Sequence, residues 1–334
     1  MVEEQIKKKI EEEYSLEPWD IEKVKNVYRV MVNKDKYCLK IIKYEFNHFF
    51  FILSAIKHLQ NNGFKSIPKI IETTKGKDYI MLPNSCAYLT PWIESRACNY
   101  DNPFELKLAA KKLGELHVKS RGFRLSESMK PRIGWFKWFE NFSNKKRDII
   151  DFKNIIEKKD KKSYFDILYE KHIEEEIGRI NKSIEDLYNS NYFCKMKKEI
   201  GSKGFCHHDY AHHNVLIDEE NEINIIDFDY CILDSHLHDL SSLIIRTMKN
   251  GKWDIGNANY ILNNYSLINS ITQKDISIMA AFIGFPQAFW QLGIQYYIEK
   301  QPWEEEVFLN KLNKVCEDKD LREDFVKEFK NIRY

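Results

Sequence analysis

The alternation of apolar and polar positions divides the chain near residue 92. Val2, Ile6 and Ile10 recur at i, i+4 and predict a helix over 2–13. The β-rich runs Val24–Val32 and Tyr37–Ile42 flank the polar turn Asn33-Lys34-Asp35-Lys36, so a hairpin is expected, with Lys40 in its second strand. Phe46, Phe49, Phe50, Leu53, Ile56 and Leu59 then mark one face of a strongly patterned helix, which Asn61-Asn62-Gly63 ends. Lys69–Thr73 and Asp78–Leu82 read as two more strands joined by a Lys-Gly-Lys turn, and Tyr88–Ile93 as an extended connector. Residues 1–92 are thus expected to form a small β-rich lobe with one long helix.

From Pro103 the period becomes helical. Leu106, Ala109, Ala110, Leu113, Leu116 and His117 share a face, and Gly122 closes the segment. Residues 144–190 are dense in charge and read as long solvated helices. Val215–Ile217 and Ile223–Ile226 are two short strands joined by Asp218-Glu219-Glu220-Asn221-Glu222. The tail from Trp253 is helical, and its aromatics, Phe282, Phe285, Phe289, Trp290, Tyr296 and Tyr297, read as core. The pattern is α+β, with a larger, mainly helical lobe over 93–334.

Composition narrows the function classes. A chain of 334 residues with 43% hydrophobic and 31% charged residues suits a soluble globular protein with a large core. A formal net charge of +1 gives no global pull toward nucleic acid or an anionic membrane. No run of about eighteen apolar residues is read as a membrane span. Met1–Tyr14 lacks the apolar core of a signal peptide. The seven Cys are scattered without a C-x-x-C pair, which suits reduced thiols in a cytosolic compartment.

Chemistry concentrates in Cys206-His207-His208-Asp209-Tyr210-Ala211-His212-His213-Asn214 and in Ile225-Ile226-Asp227-Phe228-Asp229. The first reads H-x-D-x-x-x-x-N, and Asp227 follows Asn214 by thirteen residues. That is the layout of a kinase catalytic loop with a second metal-binding acid. Asp209 is the candidate catalytic base, accepting a hydrogen bond from the acceptor hydroxyl. Asn214 offers an amide oxygen and Asp227 a carboxylate to Mg²⁺, which favours such hard ligands beside phosphate oxygens. His207 is expected to brace the loop through a backbone hydrogen bond. Asp229 is either a third acid of the metal site or a turn residue. Asp239 either supports the catalytic loop or caps a helix. Lys40, ahead of the long helix, stands where a phosphate-binding Lys belongs. Six of the ten His lie between His207 and His238, which makes zinc ligation an alternative, but no C-x-x-C or H-E-x-x-H pattern supports it.

On these residues the chain resembles the aminoglycoside phosphotransferase and choline kinase superfamily, with Ile226-Asp227-Phe228-Asp229-Tyr230 closest to the choline-kinase form of the metal-binding strand. Within it the chain is most similar to the CotS-type spore coat proteins. That likeness rests on Phe51-Ile52-Leu53-Ser54-Ala55-Ile56, Leu113-Gly114-Glu115-Leu116-His117, Ile133-Gly134-Trp135-Phe136 and Phe285-Pro286-Gln287-Ala288-Phe289-Trp290. The resemblance implies a two-lobed protein-kinase-like fold, use of ATP and Mg²⁺, and an association with spore coat proteins. It also implies a life begun in the mother-cell cytoplasm and ended in the coat. By motif, Asp209 matches the catalytic base, Asn214 and Asp227 the magnesium ligands, and Lys40 the nucleotide-phosphate Lys. The connector, with Tyr88, Thr90 and Trp92, matches the hinge beside the adenine.

Two departures qualify activity. No Gly precedes Gly63, so the first hairpin cannot close a Gly-rich backbone over phosphates. The long helix has Glu45 at its start but no Glu farther along to pair with Lys40, which is therefore expected to be unpaired and poorly oriented. Three functions fit: a phosphotransferase of the coat acting on a hydroxyl of a small-molecule or coat-component acceptor, an inactive pseudokinase acting as a coat component, or a choline- or aminoglycoside-type kinase.

Overall fold

A computed structural model describes residues 2–334, with Val2 described by its backbone alone; residue 1, the first of the expected small lobe, lies outside the described residues. The chain divides into two compact units, each built from two stretches: Met1–Arg132 with Lys203–Leu233, and Ile133–Ser202 with Asp234–Tyr334. The expected division at 92/93 separates strand-rich from helix-rich sequence. Compactness groups the chain otherwise, keeping the catalytic-loop segment with the small sheet.

The first unit opens with helix α1 (Val2–Tyr14), then β1 (Asp20–Val24), β2 (Val27–Val32) and β3 (Asp35–Ile42). The run Val24–Val32 is not one strand. It breaks at Lys25-Asn26, where Lys25 takes φ 54°, and the next turn is the two residues Asn33-Lys34, with Asn33 at φ 53°. Asn tolerates the left-handed region because its short side chain bonds locally. Lys40 therefore lies in the third strand, not the second. Helix α2 (Phe46–Asn61) buries Phe49, Leu53, Ile56 and Leu59 as the period predicts and ends before Gly63 at φ 77°. Strands β4 (Ile80–Leu82) and β5 (Ser85–Pro91) complete an antiparallel sheet of order β1-β2-β3-β5-β4. Lys69–Thr73 supplies only one bridge, Ile71 to Leu89. Ile6, Ile10 and Tyr14 of α1 pack with Val30, Leu39 and Leu89 in one buried cluster.

β6 (Ser95–Ala97) and helix α3 (Pro103–Lys119) follow, and β7 (Val215–Asp218) and β8 (Ile223–Ile225) form a second sheet with β6 in the order β6-β7-β8. Asn102 caps α3 by accepting from the Phe104 N–H at 3.0 Å, with Pro103 at the position where a missing N–H costs nothing. Leu113 and Leu116 are fully buried.

The second unit is helical: α4 (Trp138–Glu157), α5 (Tyr164–Asn189), α6 (Tyr192–Ser202), α7 (Leu237–Met248), α8 (Ile255–Ser266), α9 (Gln273–Gly284), α10 (Gln287–Gly293) with a π turn at Ile294–Ile298, and α11 (Glu305–Lys330). The helices expected to be solvated each bury a stripe, Phe142, Ile149, Phe152 and Ile156 in α4 and Phe165, Tyr169, Ile173 and Ile180 in α5. Of the tail aromatics expected to be core, Phe285, Phe289 and Tyr297 are buried and Phe282, Trp290 and Tyr296 half-buried; Phe289 stacks on Tyr169 with centroids 4.1 Å apart. Gly293 is needed there, since a Cβ would lie 2.5 Å from the Phe152 ring. Gln273–Ile298 is long and apolar enough to cross a membrane by length and composition, at mean hydropathy 1.2, although Ser277, Gln287 and Gln291 interrupt it and it holds no unbroken run of eighteen apolar residues. The chain breaks there at Phe285-Pro286, and 61% of that window is buried inside the protein.

Candidate functional site

The site grows from the backbone around β7 and β8. Cys206 pairs with Ile232, which fixes the start of the catalytic loop. His207 is fully buried. Its Nδ1 accepts from the Asp209 N–H at 3.3 Å, so Nε2 carries the proton and donates to the Ile226 carbonyl at 2.9 Å. The imidazole thus ties the loop to the segment that carries Asp227. A short 3-10 turn, His212–Asn214, returns Asn214 to Asp209, and the Asn214 Nδ2 donates to the Asp209 carbonyl and to its Oδ2, both at 3.0 Å. The amide nitrogen being committed, the amide oxygen is the atom left for a metal. His212 and His213 are exposed.

Asp227 takes the left-handed conformation, φ 66°, and starts a 3-10 turn, Phe228–Tyr230. The Phe228 ring turns inward, 4.7 Å from the His207 ring. Asp227 and Asp229, flanking Phe228, both reach Lys40: Nζ lies 3.1 Å from Asp227 Oδ1 and 3.1 Å from Asp229 Oδ2. Lys40 is not unpaired, as its sequence context suggested; carboxylates from far along the chain supply its counter-charge. Burial pulls the Lys40 ammonium down, but the two carboxylates outweigh it and hold its pKa above the ordinary value. Burial pushes Asp227 up, yet the Lys40 charge and hydrogen bond prevail and hold it below the carboxylate range. Asp229 is raised, by burial and then by the charge of Asp227.

Tyr88 and Thr90 are not in a free connector. They lie within β5, opposite Lys40 and Cys38 in the ladder, so they share the face from which Lys40 projects. Tyr88 is buried, and burial together with the Asp229 charge raises its phenol well above the ordinary value. Trp92 lies past the strand end, and the Arg29 guanidinium sits 5.4 Å from its ring centroid. Asp239 lies in the other unit, buried in the first turn of α7.

One contributor escaped the sequence reading. Asn26, at the tip of the β1–β2 turn, places Nδ2 3.5 Å from Asp227 Oδ2. A polar side chain, not glycine backbone, reaches over the acid. Its only signal was an Asn in a short turn, a common occurrence. The donor set of Asp209, Asn214, Asp227 and Asp229 is all oxygen, and Asp229 Oδ1 is buried without a hydrogen bond among the described residues. That chemistry fits Mg²⁺ beside phosphate oxygens better than zinc.

A family model described as "Spore coat putative kinase YutH" matches residues 7–329. Spore coat protein S of Bacillus subtilis (strain 168) is 24% identical over 280 residues, covering 81% of this chain and 78% of that protein. Among solved structures, an aminoglycoside phosphotransferase from Alicyclobacillus acidocaldarius superposes with TM-score 0.82 at 20% identity, over 95% of this chain and 93% of that one. A spectinomycin phosphotransferase, solved with ADP and spectinomycin, superposes with TM-score 0.66 at 16% identity, over 98% of each chain. At such identities the structural likeness establishes the fold, which is the expected two-lobed, α+β, protein-kinase-like one.

Proposed function

The chain belongs to the spore coat kinase-like family that this match defines, and we propose that it is a phosphotransferase of the coat, acting from ATP and Mg²⁺ on a hydroxyl of a small-molecule or coat-component acceptor. The observation that carries this reading is the convergence of Lys40, Asp227 and Asp229 in the same unit as the bonded pair Asp209–Asn214. Bound Mg²⁺ would neutralise the charge that gathers on the phosphates. Asn214 and Asp227 would hold it, and Lys40 would face the phosphate oxygens. Asp209 accepts a hydrogen bond from the acceptor hydroxyl. As the acceptor oxygen bonds to the terminal phosphorus, the bond to the bridging oxygen breaks, ADP leaves carrying that oxygen, and the hydroxyl proton passes to Asp209. The homologue's coat origin supports synthesis in the mother cell and deposition among other coat proteins.

A second reading, a pseudokinase serving as a coat component, draws on one feature: Asn26 lies over Asp227 where glycine backbone would cradle phosphate. A third, a choline- or aminoglycoside-type kinase, would require carboxylates beside Asp209 for a cationic acceptor. A thermal-shift titration separates the first two. Millimolar Mg²⁺-ATP is expected to raise Tm by several degrees, since a ligand at 100 times its Kd adds about 2.7 kcal/mol to the folded state. No shift would leave the structural reading standing and remove the enzymatic one.

A further inference from the structure

Lys40 is 6% exposed, and an ammonium so buried needs a fixed counter-charge. Helix α2 offers none. Phe46–Asn61 contains no Asp or Glu, and Glu45, just before it, is 2.7 Å from Lys130. The counter-charges come instead from Asp227 and Asp229. These two acids differ in their surroundings. Asp227 has the Asn26 amide as a further partner, whereas among the described residues the only ion pair of Asp229 is with Lys40, and its Oδ1 accepts no hydrogen bond from them. Asp229 is also held from behind, because the 3-10 turn that carries it is pinned by the buried Phe228 ring against His207.

We propose that Asp229 is the positioning residue for Lys40, replacing a carboxylate on the long helix. When Asp227 turns to a divalent cation, Asp229 keeps the ammonium aimed at the nucleotide phosphates. This rests on the phosphotransferase reading for its purpose but not for its geometry. Asp229 thus acts through Lys40 and needs no contact of its own with the nucleotide. The arrangement explains how a chain whose long helix is wholly without acids retains an ordered phosphate-side Lys.

The test uses the full chain and two readouts. In the nucleotide-free protein, amine labelling of Lys40 is followed by peptide mass spectrometry with and without Mg²⁺. Wild-type Lys40 is expected to stay protected in both conditions. In Asp229→Asn, Mg²⁺ is expected to unmask it several-fold, and Asp229→Glu, which keeps the charge, is expected to restore protection. Should Mg²⁺ unmask Lys40 in the wild type as readily as in Asp229→Asn, Asp229 is not what holds it. If Asp229→Asn does not fold, Asp229→Glu decides alone: a Lys40 freely labelled there overturns the proposal. The second readout is binding of a fluorescent ADP analogue with Mg²⁺. Asp229→Asn is expected to weaken it about tenfold, the scale of one charge-assisted contact, and to weaken it no further in a Lys40→Met background. An equal loss in both backgrounds would mean that Asp229 serves the metal and not Lys40. A wild type that binds no nucleotide but shows the expected labelling supports the pairing and overturns the phosphotransferase reading instead.

Discussion

Asp209 is the side chain on which transfer should hinge. It is half-buried and tied to Asn214, so its replacement by Asn leaves the packing untouched. Asp209→Asn is expected to keep the wild-type Tm to within about 2 °C. Any phosphoryl transfer should fall on the order of 10²- to 10⁴-fold, the usual worth of a positioned base. The pair of measurements is a melting curve and a transfer assay; undiminished transfer would assign the base elsewhere. Asp209, Asn214 and Asp227 were legible in the sequence because one loop and the adjoining strand carry all three, at spacings set by local backbone geometry. The partners of Lys40 were not. They lie 187 and 189 positions along the chain, as 227 − 40 and 229 − 40 give, and no local pattern encodes a pairing of that separation. Sequence proximity points to α2 for the counter-charge, whereas burial of the ammonium selects whichever carboxylate the fold brings near.

Among the elements, the period-3.6 signals were the most faithful. α3 buries the face its apolar spacing marks out, whereas α2 buries Phe49, Leu53, Ile56 and Leu59 of its marked face but leaves Phe46 exposed, and it buries Phe51, Ile52 and Ala55 outside that face as well. The errors fell on strands. Val24–Val32 is uniformly β-prone apart from Lys25 and Asn26, and only the left-handed backbone at Lys25 turns it into a hairpin. The charged helices misled for another reason: a few large aromatics suffice to bury a stripe. α6 illustrates how charge then joins helices. Glu199 is buried beside His236, at 2.9 Å, and Lys195, at 3.4 Å, while Lys195 also reaches Asp275 at the start of α9 at 3.0 Å. Burial alone would raise the Glu199 carboxyl, but His236 and then Lys195 reverse that and bring its pKa to about 2. A depressed folded pKa stabilises the protein above the unfolded pKa, and that stability drains away as pH falls through the folded value. Relative to an ordinary pKa of 4.5, the difference is worth roughly 3 kcal/mol at neutral pH. Glu199→Gln should therefore unfold more easily at pH 7, by an amount that shrinks as pH drops from about 4.5 toward 2. Urea titrations of both proteins across that window check it, and a penalty independent of pH would place the cause in packing.

The connectivity of the molecule sets a last expectation. The chain passes between its two compact units three times, at 132/133, 202/203 and 233/234. A strand-rich lobe read from sequence suggests that an N-terminal fragment folds alone, whereas the contacts within the first unit argue otherwise. Among the described residues β6 finds its ladder partner only in β7, and the Ile225 N–H donates to the Ser66 carbonyl at 2.8 Å. Phe205 packs against Phe123, with centroids 5.3 Å apart, and its N–H donates to Ser120 Oγ at 3.2 Å. A fragment ending at residue 132 lacks all of these and leaves a sheet edge and an apolar surface open. It is expected to show reduced near-ultraviolet ellipticity and no cooperative urea transition, while the full chain unfolds cooperatively. Adding residues 203–233 to that fragment through a short flexible linker should restore the transition, because the linked chain then contains the whole unit. The closure entropy of such a linker grows only as the logarithm of its length, so the joint itself is a small cost. A fragment ending at 132 that melts cooperatively by itself would show that the sheet and α2 form a self-sufficient core. The phosphate-side Lys40 would then be placed without help from the segment bearing its two acids.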